Sequence, residues 1–143
     1  MNQPTLPNFR FSIPIQIRMS DLDPFAHVNN GSQAHFFDVG RSAYLEHIMQ
    51  EKIDWGTLTM VLVHLEMDFM KPILIQDRVV CETSVYHVGN KSVKMMQSLR
   101  DLNTNEIKTL SKSVLAGYDR ATFRSIEIPQ KYKEAFYAFE NLK

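Results

Sequence analysis

The first part of the chain changes from a two-residue hydrophobic period to a helical one near residue 30. Hydrophobic and polar side chains alternate over residues 11–19, the pattern of a strand with one buried face. Apolar residues then recur at the spacing of one helical face, at Ala34, Phe37, Tyr44, Leu45 and Ile48. Asn29 or Asn30 is suited to the N-cap. The pattern predicts a strand, a polar junction and a long helix.

The remainder of the chain carries four further strand patterns, at residues 61–70, 78–88, 92–100 and 107–118. Pro72 ends the first of them, because proline cannot donate to a strand ladder. Gly89-Asn90 and the polar residues 101–106 predict the turns between the later strands. The tail predicts a short helix with Pro129 at its start and one apolar face, formed by Tyr132, Ala135, Phe136 and Phe139.

This order of elements predicts an α+β fold in one domain over residues 1–143. Strands joined by short turns are usually antiparallel, so the four later strands are expected to run as a meander. The long helix has more apolar positions than a one-faced surface helix needs, so we expect the sheet to curl around it. Gly40 suits close packing of that helix on the sheet.

Composition and charge narrow the classes of function. Hydrophobic residues make up 44% and charged residues 22%, values typical of soluble globular domains. The 16 basic and 16 acidic residues cancel, so neither nucleic acid nor a membrane is an expected partner. Cys81 is the single cysteine, which excludes an intrachain disulfide. The first residues lack the basic-then-apolar pattern of a secretion signal, so a cytoplasmic location is expected.

The polar junction before the long helix holds the richest candidate chemistry. Two carboxylates, an imidazole and two amides fall within ten residues, at Asp21, Asp23, His27, Asn29 and Asn30. A helix N-terminus offers unpaired backbone N–H groups and a positive dipole end. The N–H groups of Asn30, Gly31 and Ser32 are therefore candidate donors to an oxyanion. A base beside an electrophile is half of an active site.

Other chemistries lack their signatures. The Asp and His residues of the junction show neither the H-E-x-x-H pattern nor a cysteine cluster, so no metal site is expected. The chain has no G-x-S-x-G motif and no glycine-rich phosphate loop, which argues against serine hydrolases and nucleotide hydrolases.

The run RMSDLDPFAHVNN at residues 18–30, followed by FFDVGR, resembles the N-terminal signature of the hotdog-fold thioesterases. D-L-D-P is similar to the D-x-D-P of 4-hydroxybenzoyl-CoA thioesterases, and S-D-L-D with H-V-N-N resembles the acyl-carrier-protein thioesterases. LEMDFMKPILIQDRV, VGNKSV and the last strand before IPQKYKEAF resemble later segments of the family. The resemblance covers most of residues 9–139.

This resemblance implies a hotdog fold, with an antiparallel sheet of about five strands wrapped around one long helix and a short C-terminal helix. It implies hydrolysis of acyl-CoA or acyl-carrier-protein thioesters without a cofactor. It also implies homodimers, or homotetramers built from them, with active sites at the dimer interface.

The resemblance makes Asp23 the catalytic residue, and the chemistry and position of neighbouring groups indicate the other roles. Asp23 would be the catalytic carboxylate, as nucleophile or as general base on water, with His27 and Asn29 assisting. The helix N-terminus near Gly31 would polarise the thioester carbonyl. Candidates for substrate contact are Asn30, Gln33, Lys91 and Lys94. The two lysines would face the phosphates of CoA or, as is commoner for lysine, lie on a solvated face.

Simpler roles compete with these. Asp21 is expected to cap a turn or pair with a cation, and turn capping is the simpler role for Asp23 as well. Asn29 or Asn30 is expected to cap the helix, and His27 is nearly as well suited to holding the loop through a backbone hydrogen bond.

Several positions depart from the family pattern. Phe25 stands where acyl-carrier-protein thioesterases have asparagine, Ala26 where a glycine is common, and Gln33 where an aromatic residue is frequent. Two other functions remain open at this stage. One is a hotdog hydratase or dehydratase, whose D-x-N-P-x-H pattern has one residue fewer before the histidine. The other is a non-catalytic module that binds acyl thioesters.

Overall fold

The computed structural model describes residues 5–142 as an antiparallel sheet packed against two helices, which confirms the predicted α+β hotdog architecture. The strands are β1 (Ser12–Pro14), β2 (Met60–Phe69), β3 (Val79–Val88), β4 (Ser92–Asp101), β5 (Glu106–Asp119) and β6 (Arg124–Ser125). The helices are α1 (Asn30–Met49) and α2 (Gln130–Glu140), and a 3₁₀ turn spans Met19–Asp21. Neither helix has the length and apolarity of a membrane span.

The strand order is β1-β3-β4-β5-β2, with β6 paired to β5. The hairpins β3–β4 and β4–β5 form at the predicted turns, but β2 pairs with β5, so the expectation that all four strands form a meander is wrong. The reason lies in residues 70–78, which carry the chain across the end of the sheet. Met70 and Lys71 donate their N–H groups to the Lys108 carbonyl at 2.9 and 3.0 Å, and Ile73 is buried. This crossing leaves β2 as an edge strand.

Helix α1 packs directly on the inner face of the sheet. Its buried residues include Phe36, Phe37, Tyr44 and Leu45. A side chain at position 40 would overlap the Cys81 sulfur of β3, so only glycine permits this approach, as expected. Burying a large apolar side chain stabilises a fold by about 1.5–3 kcal/mol, so this helix contributes much of the core.

The inner face of β5 is more polar than the sequence pattern suggests. Thr109, Ser111 and Ser113 point toward α1 together with Leu115, and all four are buried. Gln97 of β4 lies opposite Ser111 and is fully buried as well. The residues beneath α1 therefore include a band of buried hydroxyl and amide groups.

Glu140 fastens the end of α2 to the neighbouring elements. Its carboxylate accepts hydrogen bonds from the Val85 N–H at 3.1 Å, from the Ser84 hydroxyl at 3.0 Å and from the Tyr44 hydroxyl at 3.3 Å. Burial raises the pKa of Glu140 above its ordinary value, and these hydrogen bonds only partly offset that effect. Burial and the nearby Glu140 carboxylate also raise the pKa of Tyr44.

Glu140→Ala is expected to lower the free energy of unfolding by about 2–4 kcal/mol, because three donors lose their acceptor in a buried or half-buried setting. The exposed Glu134→Ala on the same helix is the control and should change it by less than about 0.5 kcal/mol. Chemical denaturation measures both. A raised pKa in the folded state favours folding below the unfolded pKa, and this gain is lost as pH rises through the folded pKa. The cost of Glu140→Ala should therefore be larger at about pH 4.5 than at about pH 8.

Candidate active site

Residues 21–29 form a narrow, hairpin-like loop that returns the chain directly to the start of α1. The Asn29 N–H donates to the Asp21 carbonyl at 2.8 Å, and the Asp23 N–H donates to the His27 carbonyl at 2.8 Å. Between these contacts Leu22 and Val28 form an antiparallel bridge. The loop rests on the crossing segment, because the Val28 N–H donates to the Ile73 carbonyl at 2.8 Å.

The Asp23 carboxylate lies at the tip of this loop with one oxygen fixed and one available. Oδ1 accepts hydrogen bonds from the backbone N–H groups of Phe25 at 2.9 Å and His27 at 3.1 Å. Within residues 5–142 Oδ2 has no hydrogen-bond partner, and the residue is only partly buried. The carboxylate is therefore held in one orientation while it keeps an oxygen free to accept a proton or to attack a carbonyl.

Asp21 has the structural role that the sequence favours. It is 2% exposed and accepts hydrogen bonds from the Arg18 backbone N–H at 2.8 Å and from the Arg18 guanidinium at 3.3 Å. Burial acts to raise the pKa of Asp21, but these contacts and a hydrogen bond from Ser32 outweigh it and hold the pKa below its ordinary value. Asp21 thus stays ionised, and its carboxylate oxygens are engaged in hydrogen bonds with Arg18 and Ser32.

The start of α1 presents two unpaired N–H groups. Asn29 is the N-cap, because its Oδ1 accepts from the Ser32 N–H at 2.6 Å and its backbone carbonyl accepts from the Gln33 N–H at 3.1 Å. Ser32 is therefore no longer available as an oxyanion donor, whereas the exposed Asn30 and Gly31 keep free N–H groups among the residues that the structure describes. The side-chain Nδ2 of Asn29 has no partner in the described part of the chain.

His27 and Gln33 flank these groups in different ways. The His27 backbone is bonded to Asp23 in both directions, while its imidazole makes no hydrogen bond within residues 5–142. Gln33 is 3% exposed, with its Nε2 donating to the Val28 carbonyl at 3.4 Å and its Oε1 accepting from the Thr109 hydroxyl. The sequence does not reveal the role of Thr109. The one indication is Gln33 itself, because a glutamine on the buried face of a helix needs a hydrogen-bond partner in the core.

The two lysines lie elsewhere in the chain. Lys91 is in the β3–β4 turn and Lys94 is on β4, both exposed. The Asp23 loop packs beside the segment that leads into the start of β3, so the length of this ten-residue strand, about 30 Å, separates it from Lys91. No group of three or more potential metal ligands occurs among residues 5–142.

Comparison with known proteins identifies the class. Residues 25–108, more than half of the chain, match the family model of the thioesterase superfamily. The chain belongs to the thioesterase superfamily. This thioesterase is accordingly a thioester hydrolase, and acyl-CoA thioesterase activity is supported at the level of the family.

Individual relatives agree with that membership. The thioesterase is 25% identical over 130 residues to the acyl-CoA thioesterase YbgC of Haemophilus influenzae, covering 89% of this chain and 94% of the relative. It is 25% identical, with a TM-score of 0.82, to a thioesterase of Thermus thermophilus solved with coenzyme A and zinc, covering 95% and 98% of the two chains.

A more distant structure shares the fold. It is a mutant 4-hydroxybenzoyl-CoA thioesterase solved with 4-hydroxybenzoyl-CoA, at 16% identity and a TM-score of 0.78, covering 88% and 97% of the two chains.

The backbone conformation of Ala26 explains why a glycine is common at this position in the family. Its φ is 62°, in the left-handed region, where a Cβ costs about 1–2 kcal/mol and glycine is tolerated. Ala26→Gly is therefore expected to raise the free energy of unfolding by about 1 kcal/mol and the melting temperature by about 2–4 °C. Thermal denaturation tests this. A melting temperature that falls would contradict the left-handed conformation.

Proposed function

We propose that this thioesterase hydrolyses acyl-CoA with Asp23 as its reactive carboxylate and the start of α1 as its oxyanion site. The observation that carries the proposal is the free Oδ2 of Asp23 on a loop that leads in six residues to the unpaired N–H groups of Asn30 and Gly31. A base or nucleophile and a pair of electrostatic donors are what acyl transfer to water requires.

Two routes use the same geometry. In the first, Asp23 Oδ2 takes a proton from a water molecule as the water oxygen attacks the thioester carbon; the tetrahedral intermediate then collapses, the C–S bond breaks, and the leaving thiolate takes up that proton. In the second, Oδ2 attacks that carbon itself, the thiolate leaves, and water then hydrolyses the mixed anhydride. In both, negative charge on the carbonyl oxygen is stabilised by the N–H groups of Asn30 and Gly31 and by the helix dipole.

Neighbouring groups have supporting roles in this proposal. The unoccupied Nδ2 of Asn29 is placed to donate to the substrate carbonyl or to water, while its Oδ1 keeps capping the helix. The His27 imidazole is partly exposed and free of hydrogen bonds to the described residues, so it is suited to orienting the water. The open side of Gly31 allows the thioester to approach the backbone, since a Cβ there would meet only the Asn29 Oδ1 closely.

Coenzyme A is the proposed carrier, with an acyl-carrier protein as the alternative. The Haemophilus relative is named an acyl-CoA thioesterase, and the Thermus thioesterase is described as a complex with coenzyme A. Both names support coenzyme A as the carrier. Lys91 and Lys94 remain proposed phosphate contacts. Their distance from the Asp23 loop along β3 means that they would serve the site of a neighbouring subunit.

The proposed assembly is a homodimer formed through β2. Two such dimers could in turn build a tetramer. β2 is an edge strand of ten residues with an unpaired backbone on one side, among the strands that the structure describes. Val63, Leu65 and Phe69 are exposed on it at 59%, 37% and 44%. A long apolar edge promotes association, and a second copy can pair with it in an isologous, two-fold arrangement.

Asp23→Asn is expected to lower kcat for acyl-CoA hydrolysis by about 10³-fold or more, because the amide is neither a base nor a nucleophile. Release of free thiol from a series of acyl-CoA thioesters is the measurement. Asp119→Asn is a matched control, because Asp119 Oδ1 accepts from the Ala121 N–H at 3.0 Å in the same two-residue turn geometry as Asp23 with Phe25. Full activity in Asp23→Asn, or no thiol release by the wild type, would refute the proposal.

Leu65→Arg in the middle of β2 is expected to convert the dimer to a monomer, since a charge is placed where apolar surface would be buried. Light scattering after size exclusion should show twice the mass of one chain for the wild type and the single mass for the variant. Lys112→Arg on the neighbouring β5, which is exposed and keeps its charge, serves as the control. A wild type that elutes as a monomer at micromolar concentration would overturn the assembly.

A further inference from the structure

Three buried polar atoms beneath α1 have no hydrogen-bond partner among residues 5–142. They are the Nε of Arg41 and the hydroxyl oxygens of Ser111 and Ser113. Arg41 is 8% exposed, and the two serines are 1% and 2% exposed. Leaving such a group without a partner is costly, so most buried polar groups in folded proteins bond to protein, water or ligand.

The three atoms belong to one region. The Arg41 guanidinium donates to Gln97 Oε1 at 3.3 Å, and Gln97 lies directly across the β4–β5 ladder from Ser111. Ser113 is the next residue on the same face of β5. All three therefore lie between α1 and the inner face of β5.

The Arg41 end of this region adjoins open space. Arg41, Asp38 and Ser42 line one side of a cavity of about 280 Å³, and mostly apolar residues line the other, among them Trp55, Met60, Leu62 and Leu115. On β2, Met67 and Leu65 pair with Ser111 and Ser113, and both remain partly exposed. Arg41 thus borders the cavity, while Ser111 and Ser113 lie buried behind Met67 and Leu65 of β2.

The distance from the proposed thioester site can be estimated in two independent ways. Arg41 follows Gly31 by ten residues, which is about 15 Å along the helix axis. Its side chain tilts toward the helix N-terminus by up to one turn, so the guanidinium lies about 10 Å from Gly31. Along β5, Ser111 and Ser113 lie about 7 and 13 Å beyond Thr109, the residue bonded to Gln33 in the first turn of α1. An extended chain advances about 1.2 Å per bond, so 10 Å corresponds to about eight bonds.

We propose that the Arg41–Ser111–Ser113 cluster binds an oxygen substituent on the acyl group, so that the preferred substrate is a medium-chain acyl thioester with a hydroxyl or keto group about eight bonds from the carbonyl carbon. The proposal rests on the thioesterase site proposed above. A neutral oxygen fits better than a carboxylate, because the Asp38 carboxylate already pairs with Arg41 at 2.7 Å. A hydroxyl can accept from the Arg41 Nε–H and exchange hydrogen bonds with the serines.

The test compares two substrates of equal length, 8-hydroxyoctanoyl-CoA and nonanoyl-CoA, which differ by an OH in place of a methyl group. The wild type is expected to show a kcat/KM about 10-fold or more higher for the hydroxylated substrate, because the apolar one leaves the cluster unpaired. The purely apolar channel of an ordinary fatty-acyl site would reverse this preference.

Two variants test whether the Arg41–Ser111–Ser113 cluster causes the preference for the hydroxylated substrate. Ser111→Ala with Ser113→Ala removes two partners, and Arg41→Lys keeps the charge but removes the Nε–H. Each is expected to bring the ratio of kcat/KM values to within about twofold of one, mainly through a lower kcat/KM for the hydroxylated substrate. Ser98→Ala is the matched control, since Ser98 is fully buried on the opposite face of β4 and donates to Glu82 at 2.6 Å. It should leave the ratio unchanged even if it lowers stability.

The outcomes separate the two proposals. A wild type that hydrolyses both substrates equally, or a double serine variant with an unchanged ratio, would overturn the substrate inference while leaving the thioesterase proposal intact. A wild type that hydrolyses neither these nor any other acyl-CoA would overturn the proposed function. Ordered waters on all three atoms in a crystal of the wild type with 8-hydroxyoctanoic acid bound elsewhere would also overturn the inference.

Discussion

The close contact between α1 and β3 at Gly40 is the constraint on which the rest of the molecule depends. Because no Cβ fits between the helix backbone and Cys81, the helix lies at a fixed height over the sheet. That height determines where its first turn meets the 21–29 loop and allows Gln33 to reach Thr109 on β5. It also sets the separation between α1 and the inner face of β5, where the unpaired polar atoms lie. A single glycine thus links the core, the candidate catalytic loop and the proposed acyl site.

Most of the fold follows from sequence because its elements have strong periodic patterns. α1, the three hairpin strands and α2 form where the hydrophobic periods predict them, and Asn29 caps α1 as its residue type suggests. The position of β2 is not predictable in this way, since strand patterns contain no information on which neighbour a strand selects. The crossing depends on hydrogen bonds from Met70 and Lys71 to Lys108, residues far apart in sequence. The strand predicted over residues 11–19 is reduced to Ser12–Pro14 for a related reason, because its pairing with β3 ends at the flanking hydrogen bonds of Phe11 and Ile15.

The candidate site is predictable in its residue types but not in the way they share hydrogen bonds. D-L-D-P before a helix indicates carboxylates beside free N–H groups, yet only the structure separates Asp21, which is saturated, from Asp23, which keeps one oxygen open. In residues 107–118 the polar Ser111 and Ser113 alternate with the apolar Leu110 and Val114, a pattern that assigns the serines to the polar side of the strand. In the folded chain they face inward, on the same side of β5 as Thr109, whose hydroxyl donates to Gln33 of α1, and Ser111 lies opposite the buried Gln97.

The topology also has a consequence for how the chain reaches its native state. β1 is the first element in the sequence, yet its partner on β3 is about seventy residues away, with Ser12 opposite Glu82. β2 likewise pairs with β5 across about fifty residues of chain, with Met60 opposite Gly117 and Phe69 opposite Thr109. Pairings between distant residues carry a loop-closure cost that local hairpins do not. The local three-stranded unit is therefore expected to form first, with the strand that bears the apolar edge joining it later.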